Sequence, residues 1–240
     1  MASEFPPPID PTGGSGVEFD YVIVGGGSAG CVLAHRLSAD ANVPILLLEA
    51  GPATEPFWVR TPAGMSKLFF DEKLNWKFFT EEEPELAGRR VYWPRGKILG
   101  GTSAINGMVY TRGVATDYDD WNEAGNDGWA WKDVLRYFKR SESNEQGSDE
   151  LHGRSGPLSV SSPRAQQRIT EAFVAAATAA GLSANTDIAG EGREGVGFLQ
   201  HTIARGVRAS AASAYLYPIR SRTNLTIMAE ATVERVELVG

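Results

Sequence analysis

Three glycines, Gly25, Gly27 and Gly30, stand in "FDYVIVGGGSAG" at the spacing G-x-G-x-x-G. That spacing binds a dinucleotide when a strand precedes it and a helix comes after. The first glycine permits a tight turn, the second lets backbone approach a pyrophosphate, and the third lets helix and strand pack closely. The free N–H groups and positive dipole end of the helix then face the phosphates. Glu49 lies about 20 residues beyond Gly30, where an acid accepts hydrogen bonds from an adenosine ribose. A carboxylate there repels a 2′-phosphate, which disfavours NADP and leaves FAD and NAD open.

The elements these residues need are present. Residues 19–24 read as a buried strand, and "SAGCVLAHRLSAD" reads as a helix with Leu33 and Leu37 on one face. "VPILLLEAG" is a continuous apolar run, as in a central parallel strand. Together they make one βαβ unit. Residues 51–95 are punctuated by prolines and dense in aromatics, so they are expected to pack against something large and planar. "GWAWKDVLRYFKRSE" is an amphipathic helix presenting Trp131, Val134, Leu135 and Phe138. A later helix is expected in "SPRAQQRITEAFVAAATAAGL", with Ser162 as cap, Pro163 in its first turn and Gly181 at its end. "NLTIMAEATVERVEL" reads as one strand or as two with a bend, and the whole predicts a three-layer α/β nucleotide-binding core with a parallel sheet.

Composition narrows the classes. The chain has 240 residues, 42% hydrophobic and 22% charged, within the range of an ordinary globular protein. A net charge of -7 argues against a nucleic-acid partner. No apolar run approaches the roughly 20 residues of a membrane span. The opening lacks a signal-peptide pattern and reads as a flexible lead-in. The single cysteine, Cys31, excludes an internal disulfide and a multi-cysteine metal site. These features give a cytoplasmic expectation.

A second glycine cluster, "RGKILGGTSAINGMVYTRG", offers another turn at Gly100 and Gly101, with Thr102 and Ser103 able to cap a helix after it. With "DYVIVGGGSAGCVLAHRLS", "LLLEAG", "DYDDW", "LHGRSGPLSV" and "SAASAYLYPIRSRTNLTI", it resembles the N-terminal half of the glucose–methanol–choline flavoprotein oxidoreductases. The resemblance implies FAD, with Gly25, Gly27, Ser28, Ala29 and Gly30 at the pyrophosphate and Glu49 with Ala50 at the ribose. It also implies that Gly101, Ser103, Asn106, Gly107, Met108 and Val109 run along the flavin and its ribityl chain. Val233, in the last strand, would meet the adenine. Some members attach the flavin through a histidine in the second motif. The matching stretch here is Ala104-Ile105-Asn106, so non-covalent FAD is expected.

The same resemblance implies an activity: an alcohol donor gives a hydride to flavin N5, assisted by a histidine from a C-terminal part. No stretch here matches that histidine or the "GSxxSPxLL"-like second signature, so the catalytic residues are unassigned. A C-terminal half or second polypeptide is expected to complete the fold. The expected boundaries are a lead-in at 1–18, an FAD-binding domain at 19–164, the start of a substrate-binding region at 165–208, and a return to the FAD-binding domain at 209–240. A light-driven fatty-acid decarboxylase, a lyase or an inert nucleotide-binding fragment are the alternatives. Of the three histidines, His35 is expected to pack, His152 to order a turn, and His201 to lie nearest a substrate face. Cys31 reads as buried filler, Asp117, Asp119 and Asp120 as a helix N-terminus, and Arg205 and Arg208 as solvated charges.

Overall fold

A computed structural model describes residues 18–238. Residues 1–17 of the expected lead-in lie outside them. In chain order the main elements are β1 (Tyr21–Val24), α1 (Ser28–Leu37), β2 (Ile45–Leu48), α2 (Ala115–Glu123), α3 (Trp131–Ser141), β3 (Glu142–Asn144), β4 (Leu158–Val160), α4 (Arg168–Ala179) and β5 (Leu225–Met228). They divide into two compact units, which part after Gly107 and after Arg205.

The first unit joins residues up to Gly107 with those from Gly206 onward. Its sheet is parallel in the order β1-β2-β5, with Tyr21 opposite Ile45 and Leu225 also opposite Ile45. Central β2 has Ile45 and Leu47 fully buried, as its unbroken apolar run predicts. Strand β1 departs from expectation. It is an edge strand, and only Ile23 is buried, while Tyr21, Val22 and Val24 are each at least 50% exposed. The apolar sequence is there, but no element of the described residues covers it. The strand expected over the tail is also shorter, for β5 ends at Met228 and residues 229–238 carry no regular structure. Val233 therefore lies beyond the last strand.

The proline-rich stretch builds its own core, in which Val59, Leu68 and Leu74 pack with Ile98, Ala104 and Ile105. Its aromatics stack mostly on one another, Phe70 on Tyr92 and Trp76 on Phe78. Asn75 ties the segment together, its amide donating to Phe69 O at 2.8 Å and its oxygen accepting the N–H groups of Lys77 and Arg95.

The second unit, Met108–Arg205, has a polar core. Arg112, Glu142 and His152 are each at most 4% exposed, and the Arg112 guanidinium is paired with the Glu142 carboxylate. The Asn144 oxygen accepts the Gln146 N–H at 3.0 Å, so its amide nitrogen must face His152 Nδ1 (3.0 Å) and Gln200 Oε1 (3.1 Å). Nδ1 of His152 is then an acceptor, and Nε2 donates to Asp187 at 2.9 Å. His152 does lie in the turn before β4, as expected, and it is buried within this network.

Helix α3 buries Val134 and half-buries Trp131, Leu135 and Phe138, the expected face. Asp119 serves as its cap from α2, its carboxylate accepting the Trp131 N–H at 2.9 Å. Asp119→Ala should remove about 1 kcal/mol of stability, seen as a small fall in thermal midpoint. No change in cofactor binding is expected. Asp117, in the first turn of α2, accepts the Val114 N–H at 2.9 Å. Helix α4 begins at Arg168 behind Gln167, not at Ser162 and Pro163. The Ser162 N–H donates instead to Glu145 Oε1 at 2.6 Å, which carries the chain straight on from β4. Gly181, at φ +100°, ends the helix as expected.

Candidate functional site

At the end of β1 the chain turns through Gly25 at φ +96°, and its N–H donates to Leu48 O of β2 at 2.8 Å. Gly27 precedes α1, and a Cβ on it would meet nothing within 4 Å. Gly30 faces the turn, where a Cβ would lie 2.0 Å from Gly25 O. Ser28 and Ala29 are exposed on the first turn of α1.

The second glycine cluster meets the first directly. The Gly100 N–H donates to Gly26 O at 2.7 Å, and a Cβ on Gly101 would come within 2.8 Å of Gly27 Cα. Both Gly100 and Gly101 have positive φ. The chain then makes a single 3₁₀ turn, Gly101–Ala104, rather than the longer helix expected. Thr102 and Ser103 therefore cap no helix. The Thr102 hydroxyl accepts the Gly96 N–H at 3.2 Å, and the Ser103 hydroxyl accepts the Ala211 N–H at 2.8 Å.

Glu49 is 6% exposed at the end of β2. Its Oε2 accepts the Gly26 N–H and its Oε1 the Gly51 N–H, both at 2.8 Å. The acid thus pins the glycine turn to the end of β2. Gly51 meets a packing requirement that the spacing did not reveal, for a Cβ there would lie 1.9 Å from Lys97 O. The chain beyond β5 is held alongside, with the Ala231 N–H donating to Glu49 O at 2.9 Å.

These segments enclose a cleft of about 270 Å³ lined by Gly25, Gly27, Glu49, Ala50, Trp76, Gly96, Gly101 and Val233, among others. Of the aromatic-rich stretch only Trp76 reaches it. Asn106 and Gly107 close the same unit, whereas Met108 and Val109 belong to the second. There Met108, at φ +62°, accepts the Thr202 N–H at 2.8 Å, and Val109 pairs with His201. Burial holds the half-buried His201 imidazole below the usual histidine range.

Cys31 is fully buried in α1, and its thiol donates to Gly26 O at 3.2 Å. Burial pushes that thiol up to about 12. In the folded chain it should resist iodoacetamide at neutral pH and react only on unfolding, which mass spectrometry would read. Between the unfolded thiol's ordinary range and about 12, the unfolded chain releases a proton that the folded chain keeps. The Cys31 contribution to stability is therefore lost as pH rises through that window. Arg208, expected to be solvated, is 2% exposed, because its guanidinium is drawn into backbone carbonyls of the second glycine segment. His35 is half-buried and packs edge-on against Tyr215. Among the described residues no group of His, Cys, Asp or Glu is placed to hold a metal ion, and no helix is long and apolar enough to cross a membrane.

A parallel sheet with a glycine turn under a helix and an acid ending the next strand defines a dinucleotide-binding α/β protein. The sequence pattern of the GMC oxidoreductases matches residues 19–239, and the chain belongs to that family, whose members are FAD flavoproteins. It is 43% identical over 222 residues to the oxygen-dependent choline dehydrogenase of Vibrio vulnificus (strain YJ016), covering 92% of this chain and 40% of that one. It is 44% identical over 219 residues to the alcohol dehydrogenase [acceptor] of Pseudomonas putida, covering 91% of this chain and 40% of that one. The crystal structure of pyridoxine 4-oxidase from Mesorbium loti superposes with a TM-score of 0.87 at 36% identity, over 93% of this chain and 44% of that one. The chain thus spans about 40% of the length of these curated relatives.

Proposed function

We propose that this chain is the cofactor-binding part of an FAD-dependent oxidoreductase that acts on the CH–OH group of a small alcohol. The observation that carries this reading is the convergence of Gly25, Gly27, Glu49, Ala50, Gly101 and Val233 on one cleft. The residues fit the group. Gly25 and Gly27 present open space where a side chain would stand, and Glu49 keeps a carboxylate at the cleft wall. Ser28 and Ala29 would meet the pyrophosphate from the first turn of α1, and Ser103, Asn106, Gly107, Met108 and Val109 would run along the flavin and its ribityl chain. FAD, when bound, supplies the hydride acceptor. Non-covalent attachment is supported by Ala104 and Ile105, which are fully buried and offer no side chain for a bond.

The catalytic base belongs to polypeptide beyond this chain. No histidine lines the cleft. The same polypeptide would add to the free edge of β1, where a groove of about 690 Å³ is lined by Tyr21, Val22, Val24, Leu33 and Leu37. Residues 165–208 would open the substrate-binding region. Anaerobic addition of choline or a primary alcohol to the complete, FAD-loaded protein should bleach the visible flavin absorption. Bleaching by dithionite but by no alcohol would sink the alcohol reading.

A further inference from the structure

Arg208 is a buried cation that neither glycine motif predicts. Its Nε donates to Val59 O at 2.9 Å, and its Nη1 donates to Asn106 O at 2.7 Å, Asn106 Oδ1 at 2.9 Å and Ser103 O at 3.2 Å. One planar fork thus spans a short helix over residues 57–60 and the segment 103–106, which lie far apart in sequence. Ala211, three residues on, adds its N–H to the Ser103 hydroxyl. The stretch 208–211 therefore holds the second glycine segment, while Val59, Ala104 and Ile105 belong to one buried apolar cluster.

Burying a guanidinium for mere packing is expensive, and an apolar side chain of similar volume would do as well. Its cost is visible: burial pulls Arg208 down to about 10, and Nη2 has no hydrogen-bond partner among the described residues. No carboxylate forms an ion pair with it among the described residues, and Glu55 is the acid whose charge it feels. What the fork secures is conformation. After the two positive-φ glycines the 3₁₀ turn ends at Ala104, and the Ile105 and Asn106 N–H groups return only to Thr102 O, so it is the fork that ties the segment to residues 57–60.

We propose that Arg208 is a positioning residue for the flavin, holding Ser103 and Asn106 in the cofactor-receiving arrangement before the cofactor arrives. This rests on the proposed flavin function. Prepaid order of this kind raises affinity by reducing what binding must still organise.

The test is FAD affinity, titrated by flavin fluorescence on the complete protein, for wild type, Arg208→Met, Asn106→Ala and the double variant. Circular dichroism confirms folding of each. Arg208→Met should weaken FAD binding at least tenfold. Adding Asn106→Ala should cost little more, because the bond between Arg208 Nη1 and Asn106 Oδ1 that it removes is already gone. Arg208→Lys keeps the charge without the fork, and it should also lose at least tenfold. It carries the test if the Met variant does not fold. A merely structural role would lower the thermal midpoint of the apoprotein while folded variants bound FAD within twofold of wild type, and that result would overturn the inference. So would losses that multiply in the double variant. Wild type that binds no FAD would remove the flavin reading and this inference with it.

Discussion

Gly30→Ala should abolish FAD binding and lower stability by at least about 3 kcal/mol, the upper end of ordinary overpacking. The added Cβ would stand 2.0 Å from Gly25 O and 3.3 Å from Ile23 Cγ2. The nearer neighbour is backbone, held by the Gly25 N–H bond to Leu48 O, so it has no rotamer to move into. Either α1 leaves the sheet or the turn opens, and both destroy the cradle. Gly27→Ala is the informative companion. Its backbone, at φ -73°, accepts any L-residue, and its Cβ would meet nothing in the chain. It should melt as wild type does, yet lose FAD affinity about tenfold or more, the equivalent of about 1.4 kcal/mol. Calorimetry with FAD titration separates the two outcomes. Equal melting losses for both variants would mean that the glycines serve packing alone.

Glu49→Ala should cost about 2–6 kcal/mol in stability, since two buried N–H groups, at Gly26 and Gly51, each lose an acceptor worth about 1–3 kcal/mol. FAD affinity should fall about a hundredfold, or about 2.7 kcal/mol, as the turn loosens and the ribose loses its acid. Glu49→Gln keeps the shape and one acceptor oxygen, but it turns an amide donor toward the other N–H. It should fall between wild type and Ala in both stability and affinity. If Glu49→Ala bound FAD as tightly as wild type in the folded state, the acid would have no part in the cofactor site.

The first glycine motif is legible in the sequence because each of its residues answers to a local requirement: a positive φ at Gly25, open space at Gly27 and close helix packing at Gly30. β2 is legible for the same reason, as an apolar run long enough for a central strand. The second motif can be placed only through its resemblance to a family. Its geometry depends on contact with Gly26 and Gly27, some 75 residues earlier, and no periodicity encodes that. Arg208 escapes a sequence reading because charge alone predicts exposure, while its acceptors are backbone carbonyls, which carry no sequence signature. Val233 and the start of α4 depart from expectation for a related reason. β-propensity in "ATVERVEL" and a good cap at Ser162 are weak beside the hydrogen bonds that hold Ala231 to Glu49 and Ser162 to Glu145. The exposed face of β1 has the sequence of a buried strand, so apolarity alone does not reveal its edge position.

The most direct test of the cofactor assignment is the visible absorption of the gently purified protein, recorded before and after denaturation and filtration. Flavin bands that pass into the filtrate as FAD are the predicted result. Protein that carries no flavin, and takes up none when FAD is added, would contradict the account.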